Sequence, residues 1–315
     1  MAVKKRWVPA GLLVMAVLAG CASPPKDTGP GTSDTGPLVT TPPTVAPIVV
    51  PAAPKILPRV GLALGGGAAR GFAHVGVIQV LEEAGIRPTL VAGTSAGSLV
   101  AAIYASGKNG KQLQHVAETM EEATIADWTL PLFNRGMLRG DALARYVNSQ
   151  VGGRSIESLT LPLGIVATDL ATGSSMLFQR GDTGTAVRAS SAVPAVFQPV
   201  RISGRDYVDG GLVSPVPVRA ARQMGAELVV AVDISSPPEG NTSGSTLDVL
   251  LQTFTIMSKS INFFELKEAD VVVRPALIGV SSADFSSRKR SIEAGRQAML
   301  QMLPSLKAAM AAKSH

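Results

Sequence analysis

Cysteine, histidine and aromatic residues are scarce in this sequence of 315 residues. A single cysteine, Cys21, excludes a disulfide bond within the chain and a metal site built from several cysteines. The only histidines are His74, His115 and His315. Aromatic residues make up 4% of the chain, which argues against a surface on which nucleic-acid bases stack. The sequence therefore indicates no nucleic-acid partner, and we expect neither a metal ion nor an organic cofactor.

The beginning of the chain lacks acidic residues and has the layout of a secretory signal peptide. Lys4, Lys5 and Arg6 precede an apolar stretch of thirteen residues, too short to span a bilayer comfortably. The sequence LAGC follows, ends at Cys21, and resembles the signal of a bacterial lipoprotein. That resemblance implies cleavage before Cys21 and attachment of lipid, such as palmitate, to its thiol. An ordinary cleaved signal with an unrelated cysteine is the alternative. Ala22 stands where an aspartate would favour the inner membrane, so the outer membrane is implied, on its periplasmic or surface side.

Composition divides the rest of the chain into a tether and a folded part. Residues 21–58 hold ten of the 22 prolines and show no apolar periodicity, which predicts an extended Pro/Thr-rich tether. The predicted folded domain covers residues 59–275, and residues 276–315 are predicted to be a helical extension of it. Removal of the signal peptide, residues 1–20, lowers the formal charge from +6 to +3. That mild excess favours a solvated surface over a specific anionic partner.

Short apolar runs alternate with helical patterns after residue 59. Strands that are apolar throughout, separated by helices, predict an α/β fold with a mostly parallel central sheet covered by helices on both faces. Asp141 is the predicted N-cap of one helix, and residues 308–315 are expected to fray. The predicted strands are residues 60–64, 90–92, 163–168, 175–179, 200–202, 206–208, 228–232 and 271–274. The predicted helices are residues 72–84, 96–105, 111–125, 141–151, 182–190, 216–224, 247–268 and 291–312.

The sequence GTSAG places Ser95 between Gly93 and Gly97, where a predicted strand turns into a helix. Small residues on both sides let such a turn expose a serine hydroxyl as a nucleophile. A tight turn with a capping serine is the alternative. No histidine is placed as its base: His74 reads as a packing residue and His115 as an exposed one. A direct pair of serine and carboxylate remains.

The sequence GGGAARG, residues 65–71, forms a glycine-rich loop between a predicted strand and a helix. It lacks the Gly-Lys-Ser/Thr of a phosphate-binding loop, and Gly93 and Ser95 stand where a dinucleotide site needs an acidic residue. The remaining function is an oxyanion hole, with Arg70 as added positive potential or as an anchor of the loop. A purely structural turn is the alternative.

Together these segments resemble the bacterial patatin-like phospholipases. The glycine loop, the GxSxG turn and the sequence DGG, which begins at Asp209 and continues through Gly210 and Gly211, occur in that family's order. The sequences ATDLATG, residues 167–173, and RASSAVPAVFQPV, residues 188–200, also look like signatures of the family. The resemblance extends from residue 60 to about residue 234.

The resemblance implies a lipid acyl hydrolase, a phospholipase A or a lysophospholipase-type esterase, that acts on membrane lipid. Ser95 and Asp209 would form its catalytic dyad. Backbone N–H groups of Gly66 and Gly67, with Ala68, are the expected oxyanion hole. Asp169 and Asp233 also end predicted strands and are interpreted as structural, while residues 127–133 are interpreted as core packing rather than an entry rim. A non-catalytic lipid-binding envelope lipoprotein of the same fold is the alternative, and the sequence assigns no oligomeric state.

Overall fold

The computed structural model describes residues 56–120, 138–235, 246–280 and 284–315. The predicted signal peptide, Cys21, most of the predicted tether and residues 127–133 lie outside the described part. All described residues belong to one compact unit, Ala53–His315.

Eight strands form one sheet within the described residues, in the order β5-β6-β3-β2-β1-β7-β8, with β4 paired to β3. Strands β3, β2, β1, β7 and β8 are parallel to one another, whereas β4, β5 and β6 make the antiparallel edge. The strands are β1 Val60–Leu64, β2 Leu90–Thr94, β3 Leu163–Asp169, β4 Ser175–Phe178, β5 Val200–Ile202, β6 Arg205–Asp209, β7 Leu228–Val232 and β8 Val271–Val273. The predicted α/β sheet is therefore confirmed.

Helices cover both faces of this sheet, as predicted. The described helices are α1 Ala73–Glu83, α2 Ala96–Ala105, α3 Gly110–Thr119, α4 Asp141–Gln150, α5 Thr183–Ser190, α6 Val218–Gln223, α7 Thr246–Glu265 and α8 Arg288–Lys313. Helices α1, α2 and α8 pack in the larger apolar core, and α6 packs in a second core on the other face. Among the described residues, no helix combines the length and the hydropathy needed to cross a bilayer.

Two predictions about helix ends were wrong. Asp141 is the first residue of α4, not its N-cap, because Gly140 with φ 79° occupies the cap and the Asp141 carboxylate pairs with Arg188 at 2.7 Å. The C-terminus does not fray, since α8 continues to Lys313 with Leu306 fully buried. Beyond α8, the His315 N–H donates to the Ile56 carbonyl at 3.2 Å, and the Ile56 N–H donates back at 2.8 Å.

Candidate active site

Ser95 occupies a strained turn between β2 and α2. Its backbone has φ 53° and ψ −124°, a conformation that side-chain-bearing residues rarely adopt. The turn closes tightly enough that a Cβ atom on Gly93 would lie 2.5 Å from the Gly97 carbonyl oxygen, and one on Gly97 would overlap the Leu64 carbonyl oxygen. Both positions therefore require glycine, as the GxSxG pattern predicts, and the partly exposed Ser95 is held at the carboxyl end of the parallel strands.

A second serine, which sequence reasoning did not single out, fixes the backbone of this turn. The Ser190 hydroxyl accepts a hydrogen bond from the Ser95 N–H at 2.8 Å and donates one to the Val166 carbonyl at 2.5 Å. Ser190 is fully buried at the end of α5. It links the nucleophile turn to β3 and so helps to hold the strained conformation. The sequence RASSAVPAVFQPV contains Ser190, but it was noted only as a signature of the family, and no function was inferred for its two serines.

Asp209 is brought to Ser95 by the antiparallel edge of the sheet. It is the last residue of β6, one residue beyond the end of the predicted strand 206–208, and it is 2% exposed. Its N–H donates to the Ala192 carbonyl at 2.9 Å, and its own carbonyl accepts from the Thr168 hydroxyl at 2.8 Å. The backbone on both sides of this carboxyl group is therefore fixed by neighbouring elements.

The two carboxylate oxygens of Asp209 differ. Oδ1 accepts a hydrogen bond from the Gly211 N–H at 2.7 Å, whereas Oδ2 is buried and makes no hydrogen bond of normal geometry. Burial raises the pKa of Asp209 to about 6, and the Gly211 N–H and the Ser95 hydroxyl act in the opposite direction. The Ser95 hydroxyl is thus near enough to influence the carboxylate without a fully formed hydrogen bond. A buried carboxylate with one unpartnered oxygen beside a serine is suited to accept a proton.

The glycine loop lies against the nucleophile, but one of its expected oxyanion donors is occupied. A Cβ atom on Gly66 would lie 3.1 Å from the Ser95 Cβ. The Gly66 N–H, however, donates to the Pro215 carbonyl at 2.9 Å, so the prediction for that donor was wrong in this conformation. Neither Gly67 nor Ala68, which has φ 49°, donates its N–H to another described residue. These two N–H groups of the loop are therefore free to bind an anion in this structure.

Arg70 holds this loop from the inside. Its side chain is buried, and its guanidinium donates to the Ile234 carbonyl at 3.3 Å. Ile234 lies just beyond β7. The contact favours Arg70 as an anchor of the loop, which was one of the two functions that the sequence allowed, over a function as added positive potential.

His74 packs beneath the loop instead of facing Ser95. It is fully buried in α1, and its Nε2–H donates to the Gly65 carbonyl at 2.8 Å. Burial lowers the pKa of His74 to about 4, so the ring is neutral at neutral pH. His115 is exposed on α3. Both histidines therefore lie where the sequence placed them.

Substituting His74 tests this packing function. We expect His74→Ala to keep most of any ester hydrolysis at pH 7 but to lower the free energy of unfolding by about 1–3 kcal/mol, because it leaves a cavity and an unpaired Gly65 carbonyl. Urea unfolding at several pH values provides the measurement.

The unfolded chain takes up a proton on His74 near pH 6.5 and the folded chain only near 4, so His74 lowers wild-type stability as the pH falls through that window. The difference between wild type and variant should therefore shrink from pH 7 to pH 4. A folded His74→Ala protein as inactive as Ser95→Ala would show that a histidine base had been overlooked.

An apolar cavity of about 320 Å³ opens beside Ser95. Besides Ser95, Ser191 and Gly71, its walls are formed by apolar side chains from the start of α1, from α2, from α3 and from the segments around Leu138 and Phe197. Ala68 and Ser95 both line it, so the glycine loop and the Ser95 side chain border the same cavity. An apolar recess beside a serine hydroxyl fits a hydrocarbon chain with its carbonyl at Ser95.

Asp169 and Asp233 are engaged elsewhere. Asp169 accepts from the Ala171 N–H at 3.0 Å and pairs with Arg205 at 2.5 Å. Asp233 accepts from the Ser235 hydroxyl at 2.6 Å and faces Arg274 at 3.4 Å. In the part of the chain that the structure describes, no three His, Cys, Asp or Glu side chains cluster as a metal site.

Comparison with protein-family sequence models decides the identity of this domain. The model described as Patatin-like phospholipase matches residues 62–222, which include Ser95, Asp209 and the glycine loop. The chain belongs to the patatin-like phospholipase family. Its relatives include an uncharacterized NTE family protein of Mycobacterium tuberculosis, 37% identical over 204 residues that cover 64% of this chain and 56% of the relative. Patatin-like phospholipase domain-containing protein 6 of Homo sapiens is 34% identical over 211 residues, which are 64% of this chain and 15% of that protein. The patatin-like domain thus spans little more than half of the first relative and a small part of the second.

A solved structure shows the same patatin-like fold. VipD from Legionella pneumophila superimposes with a TM-score of 0.53 over 79% of this chain and 67% of VipD, at 16% sequence identity. At that identity the similarity concerns the fold alone.

Proposed function

We propose that this protein hydrolyses carboxylic esters of membrane lipids with a dyad of Ser95 and Asp209. The observation that carries the proposal is the buried Asp209 carboxylate, with Oδ2 unpartnered and its pKa raised, beside a serine in a strained turn. Membership of the patatin-like phospholipase family supports the same chemistry.

The reaction follows from this geometry in two steps. Asp209 takes the proton of the Ser95 hydroxyl as Oγ attacks the ester carbonyl carbon, and the Gly67 and Ala68 N–H groups stabilise the resulting oxyanion. Collapse of this intermediate breaks the bond to the alcohol, which receives the proton from Asp209. Water, deprotonated by Asp209, then attacks the acyl-enzyme, and Asp209 returns that proton to the Ser95 oxygen as the fatty acid is released. The cavity beside Ser95 would hold the acyl chain throughout.

A fluorophosphonate probe distinguishes this enzyme from a non-catalytic lipid-binding lipoprotein of the same fold. An activated Ser95 attacks the phosphorus atom and retains the probe, whereas a binding protein does not react. The expected result is labelling at Ser95, found by peptide mass spectrometry, that is lost in Ser95→Ala. Absence of labelling in the folded wild-type chain would refute the dyad. Profiling the fatty acids and headgroups released from total membrane lipid would then identify the substrate.

The pH dependence of hydrolysis should follow the ionisation of Asp209. Because the base must be ionised and its pKa is about 6, we expect kcat/KM to be constant above pH 7 and to fall about tenfold per pH unit well below 6. Initial rates with a short soluble ester between pH 4.5 and 8 provide the measurement. A rate that stays constant down to pH 4.5 in the folded protein would show that the base is not a carboxylate with a raised pKa.

We further propose that the mature protein is a lipoprotein of the cell envelope, anchored in the outer membrane through Cys21. A single acyl chain gives marginal membrane binding, whereas the two or three chains of a lipoprotein anchor it firmly. Cys21→Ser should therefore abolish incorporation of labelled palmitate and change processing and membrane fractionation. A variant that is processed and membrane-bound as before would contradict lipid attachment at Cys21.

A further inference from the structure

Helix α7 places polar side chains inward and large apolar side chains outward, the opposite of a typical surface helix of a soluble domain. Its inward side carries polar groups: Ser258 donates to the Gly211 carbonyl at 3.3 Å, Glu265 accepts from the Ser214 hydroxyl at 2.7 Å, and Asn262 is 4% exposed. Among the side chains that the structure describes, its outward side carries seven exposed large apolar residues, with Asp248, Thr253, Lys259 and Ser260 as exposed polar residues. Surface helices normally bury the apolar side and expose the polar one. The exposed large apolar residues of α7, called here the α7 stripe, are Val249, Leu250, Leu251, Ile256, Met257, Phe263 and Phe264.

The α7 stripe is continuous along the helix. Three of its pairs, residues 249–250, 256–257 and 263–264, recur at intervals of seven, so they lie on one side of α7. Phe263 and Phe264 are 63% and 62% exposed. A contiguous apolar surface of this kind on a water-facing helix indicates a surface that is covered during function.

Charge identifies the kind of surface that covers it. Lys259 on α7 and Lys267 in the turn just after it are exposed. No acidic residue occurs between Asp248 and Glu265, and the exposed Glu268 pairs with Arg219. The Lys267 ammonium lies 4.1 Å from the Phe263 ring centroid and 5.4 Å from that of Phe264. Large apolar residues with flanking lysines match the boundary between anionic headgroups and acyl chains, where lysine stems pass through the apolar zone and their ammonium groups reach phosphate.

The helix is also coupled to the candidate catalytic turn. Besides the Ser258 contact with Gly211, the Phe254 ring lies 3.2 Å from the position that a Gly211 Cβ would occupy, and the Gly211 N–H holds Asp209. A bilayer that contacts the outward side of α7 would therefore be separated from the Asp209–Gly211 backbone by the thickness of this one helix. That arrangement suits an enzyme whose substrate lies in a bilayer.

From these observations we infer that the α7 stripe docks on an anionic lipid bilayer, with α7 lying in the plane of the interface and the two phenylalanines inserted among the acyl chains. The inference rests on the proposed function only for the reason why the protein would dock, which is to reach lipid substrate. Docking itself is measurable without hydrolysis.

Tryptophan fluorescence tests the insertion directly. In the full chain carrying Ser95→Ala, Phe264→Trp is mixed with vesicles of phosphatidylglycerol and phosphatidylcholine whose acyl chains carry bromine, which quenches nearby indole. The matched control is Leu300→Trp, an exposed apolar site on α8 that is 45% exposed. The parent spectrum, with Trp7 and Trp128, is subtracted from both. We expect at least twofold quenching at position 264 and none at 300. Equal quenching at the two positions would overturn the inference.

Activity variants provide an independent test on the enzyme with Ser95 intact. Phe263→Ser with Phe264→Ser should lower hydrolysis of anionic vesicles by about tenfold or more, because two inserted rings are lost, and leave hydrolysis of a short soluble ester unchanged. Lys259→Gln and Lys267→Gln should each reduce the preference for anionic over neutral vesicles roughly fivefold. Unchanged vesicle hydrolysis in the phenylalanine variant would contradict docking.

Two further outcomes separate this inference from its alternatives. If the wild-type chain hydrolyses no ester while Phe264→Trp is quenched, the proposed function fails and the docking surface stands. If sedimentation shows a dimer that the phenylalanine substitutions convert to monomers, and position 264 is not quenched, the α7 stripe binds a second copy of this chain and the bilayer inference is wrong.

Discussion

Ser95→Ala and Asp209→Asn are each expected to reduce ester hydrolysis to the level of the uncatalysed control while the fold is retained. Alanine removes the nucleophilic oxygen. Asparagine keeps the shape of the carboxylate, including an oxygen for the Gly211 N–H, but cannot accept the proton of Ser95. Hydrolysis of a soluble ester, with circular dichroism as the control for folding, provides the measurement. Because the two residues act as a unit, the double variant should lose little more than either single variant.

The same substitution separates catalysis from stability. Burial raises the pKa of Asp209 to about 6 in the folded protein, whereas the carboxyl group of an unfolded chain ionises near 3.8. The folded state therefore binds the extra proton between these values, and stability falls as the pH rises from about 4 to 6. Above pH 7 the ionised Asp209 destabilises the fold by about 3 kcal/mol, which Asp209→Asn should largely relieve. Urea unfolding at pH 7.5 should show a more stable and inactive variant. An Asp209→Asn protein that is both active and no more stable would contradict the assigned function of this carboxylate.

Gly67→Val is the second substitution with a large expected effect. The Gly67 backbone itself is extended, with φ 165°, so its conformation does not require glycine. The limited space around it does require glycine, because a Cβ atom there would lie 2.8 Å from the Ile234 Cδ1 and 3.1 Å from the Ile234 carbonyl oxygen. Valine should displace the loop together with the Gly67 and Ala68 N–H groups. Removal of one oxyanion donor lowers kcat by roughly 100- to 1,000-fold in enzymes of this type.

The matched control for Gly67→Val is its combination with Ile234→Ala. The shorter side chain removes the atoms nearest to the new Cβ, so the double variant should recover part of kcat if crowding displaces the loop. The rates are compared with a short soluble ester after folding has been verified. A folded and fully active Gly67→Val protein would remove the oxyanion function from this loop.

Local sequence was sufficient for several elements of the sheet and its first helices. Helix α2 and strands β1 and β7 coincide with their predicted bounds, because each is a predominantly apolar segment followed directly by a serine, a glycine or a charged residue. The GxSxG turn was also predictable from local sequence. Its two glycines, Gly93 and Gly97, stand where the surrounding backbone leaves no space for a side chain. The order of the C-terminus was not predictable in this way, because it depends on the packing of Ala309 and Met310 against the larger apolar core and on the hydrogen bonds between His315 and Ile56.

The sequence by itself determined the fold class and the strained serine turn, since both depend on residue types at short spacing, whereas the candidate pair of Ser95 and Asp209 came from the resemblance to the patatin-like family. Only the tertiary structure decided the remaining features of the site. The Gly66 N–H is occupied by Pro215, and Ser190 supports Ser95 from a position 95 residues away. The pKa of Asp209 is raised by burial, and the apolar side of α7 faces outward because Ser258 and Glu265 on its other side are hydrogen-bonded to Gly211 and Ser214. Hydrogen-bond partners, burial and the orientation of a helix depend on which distant segments meet in space, and periodicity along one segment carries no information about that.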